Sequence, residues 1–128
     1  MKFEDLTPDR LTFPKVARVR SRLDFARIYE NGSRIGDRCL LMTALRTEEP
    51  RTRLGLSVSK RCGNAVRRNR WKRVIREVFR LARPDLPTGF DLVIQPRPDA
   101  QPEFEVVRES FGSLMARLRK KPLSGPAK

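Results

Sequence analysis

GNAVRRNRWKRVIREVFRLA, residues 63–82, decides how the chain is read. Asn64 is a favoured helix N-cap, because its side-chain oxygen accepts from the free N–H groups of a first turn. Spaced at 100° per residue, the stretch separates into two faces. Trp71, Val74, Ile75, Val78, Phe79 and Ala82 share one face, suited to a core. Asn69, Arg73, Arg76 and Arg80 line the opposite face. Arg70 and Lys72 flank the apolar stripe, and Arg67 and Arg68 stand in the first turn.

As an isolated helix this segment is badly built. Cations at a helix N-terminus oppose the macrodipole by roughly 0.3–1 kcal/mol each. Like charges four residues apart, as in Arg68/Lys72 and Lys72/Arg76, cost roughly 0.2–0.5 kcal/mol more per pair. Glu77 alone relieves them. A stretch that breaks local rules without an evident local gain is a candidate functional site, and the natural compensator here is a polyanion. A merely solvated face does not account for charge of one sign packed into the wrong end of a helix.

The whole chain repeats that bias. It has 128 residues, enough for one domain with one modest core, and carries 29 basic against 15 acidic residues, a net charge of +14. Such charge argues for nucleic acid or an anionic surface without specifying a fold. Arg outnumbers Lys, and its planar fork suits phosphate and stacks on bases. No apolar run is long enough to span a bilayer, and the N-terminus MKFEDLTPDR has no signal-peptide core, so a cytoplasmic protein is expected. Cys39 and Cys62 are expected to be reduced and structural. The absence of His removes His-based catalysis and the commonest zinc ligand.

Residues 1–14 show no period and are expected to form a flexible arm, residues 15–121 a single RNA-binding domain, and residues 122–128 a tail. Ser21-Arg22-Leu23-Asp24 resembles a capping box with Asp in place of Glu. The helix it opens is expected to reach Glu30 and to stop at Asn31-Gly32. Its large apolar residues, Leu23, Phe25, Ile28 and Tyr29, span more than one face. RCLLMTALR, residues 38–46, reads as a strand, and residues 47–53 as a turn. LGLSVS, residues 54–59, alternates Leu54, Leu56 and Val58 with Gly55, Ser57 and Ser59, the pattern of a half-buried strand whose small face lets a ligand backbone approach. FDLVIQ, residues 90–95, is a further strand, so strand, helix and strand form a βαβ unit with a parallel pair. A last helix is expected over residues 103–120, with Phe104, Val107, Phe111, Leu114 and Leu118 as core.

The acids do not assemble into a catalytic motif. Asp24, Asp37, Glu48, Glu49, Glu77, Asp91 and Asp99 are scattered without metal-ligand spacing, and Ser57 and Ser59 lack an imidazole partner, so neither a catalytic nor a metal site is expected on this chain. What remains suits RNA, which is recognised through its shape, its phosphates and its unstacked bases. A basic helix beside a sheet, with Phe25 and Tyr29 nearby, serves both ends. Core packing is the alternative use of those two aromatics.

LGLSVSKRCGNAVRRNRWKRVIRE, residues 54–77, resembles the signature of the bacterial ribonuclease P protein component, including its Arg-Asn-Arg centre at Arg68-Asn69-Arg70. FPKVARVRSRLDFARIYENG at 13–32 and DLVIQPRP at 91–98 extend the resemblance over roughly residues 10–121. The resemblance implies an α+β two-layer sandwich with a mixed sheet and a left-handed βαβ crossover, of the kind shared with a ribosomal-protein domain. It implies the small subunit of a ribonucleoprotein endonuclease that removes the 5′ leader from precursor tRNA. Its RNA subunit is the catalyst and holds Mg²⁺. The protein binds that RNA and the leader and strengthens affinity for substrate and metal.

Carried over by motif, the RNA-binding positions are Lys60, Arg61, Asn64, Arg67, Arg68, Asn69, Arg70, Lys72, Arg73 and Arg76. The leader positions are Phe25, Tyr29 and Arg97. Thr43 stands where the family often has an aromatic on what reads as its first strand, which removes a stacking partner. The partners implied are the catalytic RNA subunit and precursor tRNA, with neither membrane nor DNA. Two other readings of a basic α+β domain are a structural ribosomal protein and a DNA-binding regulator. Co-purification with ribosomes would mark the first, and a preference for DNA over RNA the second.

Overall fold

The computed structural model of the chain describes residues 17–120; the expected arm, the tail and Lys121 lie outside them. The elements in order are α1 (Arg22–Asn31), β1 (Ser33–Gly36), β2 (Leu40–Arg46), β3 (Arg53–Leu56), α2 (Ala65–Ala82), β4 (Phe90–Pro96) and α3 (Phe104–Arg119). One-turn 3₁₀ helices at Lys60–Cys62 and Arg83–Asp85 bracket α2.

The four strands form one mixed sheet in the order β1-β2-β4-β3. β1, β2 and β4 are antiparallel neighbours, whereas β3 lies parallel to β4 with Leu54 opposite Leu92 and Leu56 opposite Ile94. Because β3 and β4 are parallel, the chain must cross over between them, and α2 is that crossover. The sequence-based α+β reading with a βαβ unit therefore holds. α2 and α3 form a layer on one sheet face, and the shorter α1 crosses part of the other.

Alternation along the strands divides the residues between the faces. Met42, Ala44, Leu54, Leu92 and Ile94 point to the α2–α3 layer and join Trp71, Ile75, Val78, Phe79, Val107, Phe111, Leu114 and Leu118 in the main core. Phe79 and Phe111 meet edge-on across the two helices, with ring centroids 6.4 Å apart. Burying each large side chain contributes about 1.5–3 kcal/mol, so this layer carries most of the fold. The six apolar positions of α2 face it as the helical spacing requires. Cys39 and Cys62 are free thiols buried in the same core.

On the second face the apolar cluster is small: Val19, Ile28, Leu45 and Val93, with Phe25 packed against it. Ser21 caps α1 by accepting from the N–H groups of Leu23 and Asp24. Only half of a capping box is built, since the Asp24 carboxylate turns to Arg27 and Arg53 instead. Gly32 ends α1 for reasons of space, not of left-handed backbone. Its φ is −83°, and a Cβ there would fall 2.6 Å from the Ile28 carbonyl oxygen and 2.9 Å from that of Ala44.

Three sequence expectations change. The strand containing Thr43 is the second of the sheet, because β1 precedes it. β1 has four residues and one buried apolar side chain, Ile35, too little for alternation to reveal. The small face beginning in β3 is closed at Gly55, which the Phe25 ring and Val19 already cover, a Cβ there lying 2.9 Å from Phe25 Cζ, and it stays open at Ser57. Thr43 itself is fully buried, its Oγ1 lacking a hydrogen-bond partner, so that position offers no surface for contact at all.

The β1–β2 turn is fastened to α3. The Asp37 carboxylate accepts from the N–H groups of Cys39 (2.8 Å) and Leu40 (2.9 Å) and from the Ser110 hydroxyl (2.7 Å). Burial would push its pKa up, but these bonds, with Arg117 nearby, hold it below the usual carboxylate value.

Candidate nucleic-acid interface

α2 begins at an exact break in the chain direction. Gly63 has φ of +121°, which L side chains rarely adopt, and Asn64 then caps the helix by accepting from the Arg67 N–H at 2.9 Å. The cations of the first two turns are partly neutralised from within. Arg67 Nη2 donates to the Ala100 carbonyl (2.9 Å) and reaches Gln101 Oε1 (3.4 Å). Arg68 Nε donates to the Gly63 carbonyl and Arg70 Nε to that of Pro102. Carbonyls of the β4–α3 loop thus stand at the helix end where arginines would otherwise repel the dipole. These bonds run across more than thirty positions of sequence, so helical spacing gives no hint of them.

The outer face of α2 is different. Asn69, Lys72, Arg73, Arg76, Glu77 and Arg80 line one shallow groove. Its single acid, Glu77, is engaged by Arg80. Among the described residues, no carboxylate pairs with Lys72, Arg73 or Arg76. Partial desolvation of its guanidinium, and after it the neighbouring charge of Arg18, lower the pKa of Arg76. Lys60 and Arg61 are exposed just upstream, and Asn64 is spent on capping. The ten sequence-predicted positions therefore divide. Asn69, Lys72, Arg73 and Arg76 form the groove, Lys60 and Arg61 flank the helix start, and Asn64, Arg67, Arg68 and Arg70 also hold structure.

The second candidate surface is the part of the sheet that α1 leaves open. Gly36, Leu41, Gln95 and Ser57 make one row across the four strands on the α1 side. Phe25 and Tyr29, one helical turn apart, have ring centroids 6.3 Å apart, tilted by 41°. Phe25 presses on Gly55 in the adjacent row, whereas Tyr29 is 38% exposed. Arg97 stands at the far side. Its Nε donates to the Asp37 carbonyl (3.0 Å), and its Nη2 lies 2.8 Å from where a Gly36 Cβ would project. With strands about 4.8 Å apart, Phe25 and Arg97 sit on opposite edges of the sheet, flanking the row without touching. Leu41 and Gln95, the floor between them, did not stand out in the sequence; only sheet register brings them there.

A third group was wholly unforeseen. Asp91 is fully buried under α1 and accepts from Arg53 Nε (2.9 Å) and Nη2 (2.7 Å) and from Arg27 Nη2 (2.9 Å). Burial would raise its pKa, but the Arg53 and Arg27 hydrogen bonds outweigh that and hold it low. Asp24 completes the network at 3.4–3.5 Å from both arginines.

No cluster of three or more His, Cys, Asp or Glu able to hold a metal ion occurs among the described residues. No helix among them is long and apolar enough to cross a membrane.

A cationic helix groove beside a half-covered mixed sheet defines the class, a basic α+β protein. Comparison with known proteins makes this specific. The Ribonuclease P family profile matches residues 13–119. The ribonuclease P protein component of Chlamydia trachomatis serovar L2 is 42% identical over 103 residues, covering 80% of this chain and 85% of that one. Solved structures agree. The RNase P protein of Staphylococcus aureus superposes with a TM-score of 0.75 at 31% identity, over 82% of this chain and 97% of that one. That of Thermotoga maritima gives 0.70 at 33% identity, over 78% and 96%. The chain belongs to the ribonuclease P protein family.

Proposed function

We propose that the chain is the protein subunit of a ribonuclease P that removes the 5′ leader of precursor tRNA, with the RNA subunit as catalyst. The observation that carries this is the α2 groove in a member of this family: Lys72, Arg73 and Arg76 converge beside Asn69, and the one acid present is taken by Arg80. Phosphates of the RNA subunit supply the missing negative charge, each contact releasing condensed counterions. The single-stranded leader lies along the open row of the sheet, its bases stacking on Tyr29 and Phe25 and its backbone reaching Arg97. Stacking of an unpaired base on an aromatic ring is worth roughly 1–3 kcal/mol.

Mg²⁺ belongs to the RNA in this reading. Cationic side chains raise metal affinity indirectly, by letting RNA strands fold closely enough to share an ion. The place of action is the cytoplasm, where tRNA precursors are made.

The test is reconstitution with a matching RNA subunit. Adding the chain should tighten binding of precursor tRNA and lower the Mg²⁺ needed for cleavage, while RNA-free chain cleaves nothing. Cleavage by the chain alone, or no effect on the RNA's reaction, would overturn the proposal.

A further inference from the structure

We propose that Arg27, through its ion pair with Asp91, is a positioning residue for leader binding: the pair fixes how α1 is rolled about its axis and so where Phe25 and Tyr29 stand over the open row. This rests on the leader-cleft reading above and deepens it.

The geometry is that of a beam held at one flank. Asp91, in β4, lies beneath α1 with no exposure, and three N–H groups from two arginines converge on it. Arg53 comes from the neighbouring strand β3 and grips Asp91 side-on, so that pair belongs to the sheet. Arg27 is the member of the network that ties Asp91 to α1. At 3.6 residues per turn, Arg27 points about 160° away from both Phe25 and Tyr29. The ion pair and the aromatic pair thus occupy opposite flanks of one helix. Beneath them the apolar anchor is thin. Ile28 is the buried residue of α1, while Leu23 is 80% exposed. The outer side of Arg27 opens on a cavity of about 820 Å³ that Glu48, Glu49 and Arg51 also line, so nothing packed there stops the helix from turning.

Without Arg27, α1 keeps only Ile28, the Phe25 ring on Gly55 and the 3.5 Å contact of Arg53 with Asp24 to resist rolling, and a helix that rolls misplaces what it carries. A roll of about 20° sweeps a side chain at the helix surface, about 5–6 Å from the axis, through about 2 Å. A gap of about 0.5–1 Å already forfeits a quarter to a half of a dispersion contact. The main core lies on the other face of the sheet and does not feel the change.

The experiment uses the reconstituted complex of chain and RNA subunit, with precursor tRNA and mature tRNA as two ligands differing in the leader. Arg27→Met keeps the apolar stem and leaves the Asp91–Arg53 pair intact. It should weaken precursor binding by about fivefold or more, the lower end of one stacked base, and leave mature tRNA unchanged. Arg27→Met added to the double variant Phe25→Ala/Tyr29→Ala should weaken precursor binding no further, because the contacts that Arg27 positions are already gone. Should Arg27→Met melt below the assay temperature, Arg27→Lys keeps the charge without the fork and should show the same leader-specific loss at smaller amplitude. Additive losses would mean that Arg27 touches RNA directly and overturn the positioning role. So would equal losses on both ligands. A leader-specific loss in Tyr29→Ala with none in folded Arg27→Met overturns this proposal alone. No leader-specific loss in Tyr29→Ala, Phe25→Ala or Arg27→Met removes the cleft reading and this proposal with it.

Discussion

Replacing both Arg73 and Arg76 by Ala separates the use of the α2 groove from its contribution to the fold. Lys72, Arg73 and Arg76 are its cations without a carboxylate partner among the described residues. If each neutralises one phosphate, they contribute a salt slope of about −2.1, at about 0.7 per contact on single strands. The double variant keeps about −0.7 of that. Between 50 and 200 mM salt the groove therefore costs the wild type about 20-fold in affinity and the variant about 3-fold. Contacts elsewhere cancel in the difference, which should be about 1.4 in slope. Stability should move by no more than about 0.5 kcal/mol. Removing Arg76 relieves its repulsion with Lys72 and Arg80, whereas removing Arg73 loses its attraction to Glu77. The assay is binding of the RNA subunit across a salt series, with thermal melting alongside. A folded double variant that keeps the full slope would refute the reasoning, because the phosphates would then lie elsewhere.

Tyr29→Ala should weaken leader-bearing substrate by roughly 1–3 kcal/mol and spare mature tRNA, with little change in melting because the ring is substantially exposed; paired binding titrations check it. Gly55→Ala should destabilise by about 1–3 kcal/mol, since the new Cβ would lie 2.9 Å from Phe25 Cζ and 3.0 Å from Val19 Cβ; urea unfolding measures it. Asp91 and Asp37 both have folded pKa values held below the unfolded one. Their stabilisation is therefore complete above the unfolded value of about 3.9 and is lost as pH falls through the lower folded values. Urea midpoints should be insensitive to these groups between pH 7 and 5 and fall steeply below about 4. Asp91→Asn should flatten that acid limb, and at neutral pH should cost about 3 kcal/mol by leaving two arginines without their buried partner.

The sequence alone determined what repeats along the chain with a short period. The apolar stripe of α2, its Asn64 cap and the core face of α3 rest on neighbours a few residues apart, where helical geometry fixes which side chains share a face, and the parallel pairing of β3 with β4 followed from the order strand, helix, strand. The basic face of α2 was legible for the same reason, and the long motif around Arg68-Asn69-Arg70 carried the family. Tertiary structure decided what depends on distant residues meeting. Arg67 and Arg70 bond carbonyls more than thirty positions away, so cations that look alike in the sequence divide into those that staple a loop and those that line a groove. Gly55 looked like an open face until Phe25 was folded onto it, and Thr43 like a surface position until the end of α1 closed over it. Asp91 is the clearest case. In the sequence it is one acid before an apolar run. Folded, it is buried between arginines 38 and 64 residues distant, because only the packing of α1 on the sheet brings those charges within hydrogen-bonding reach.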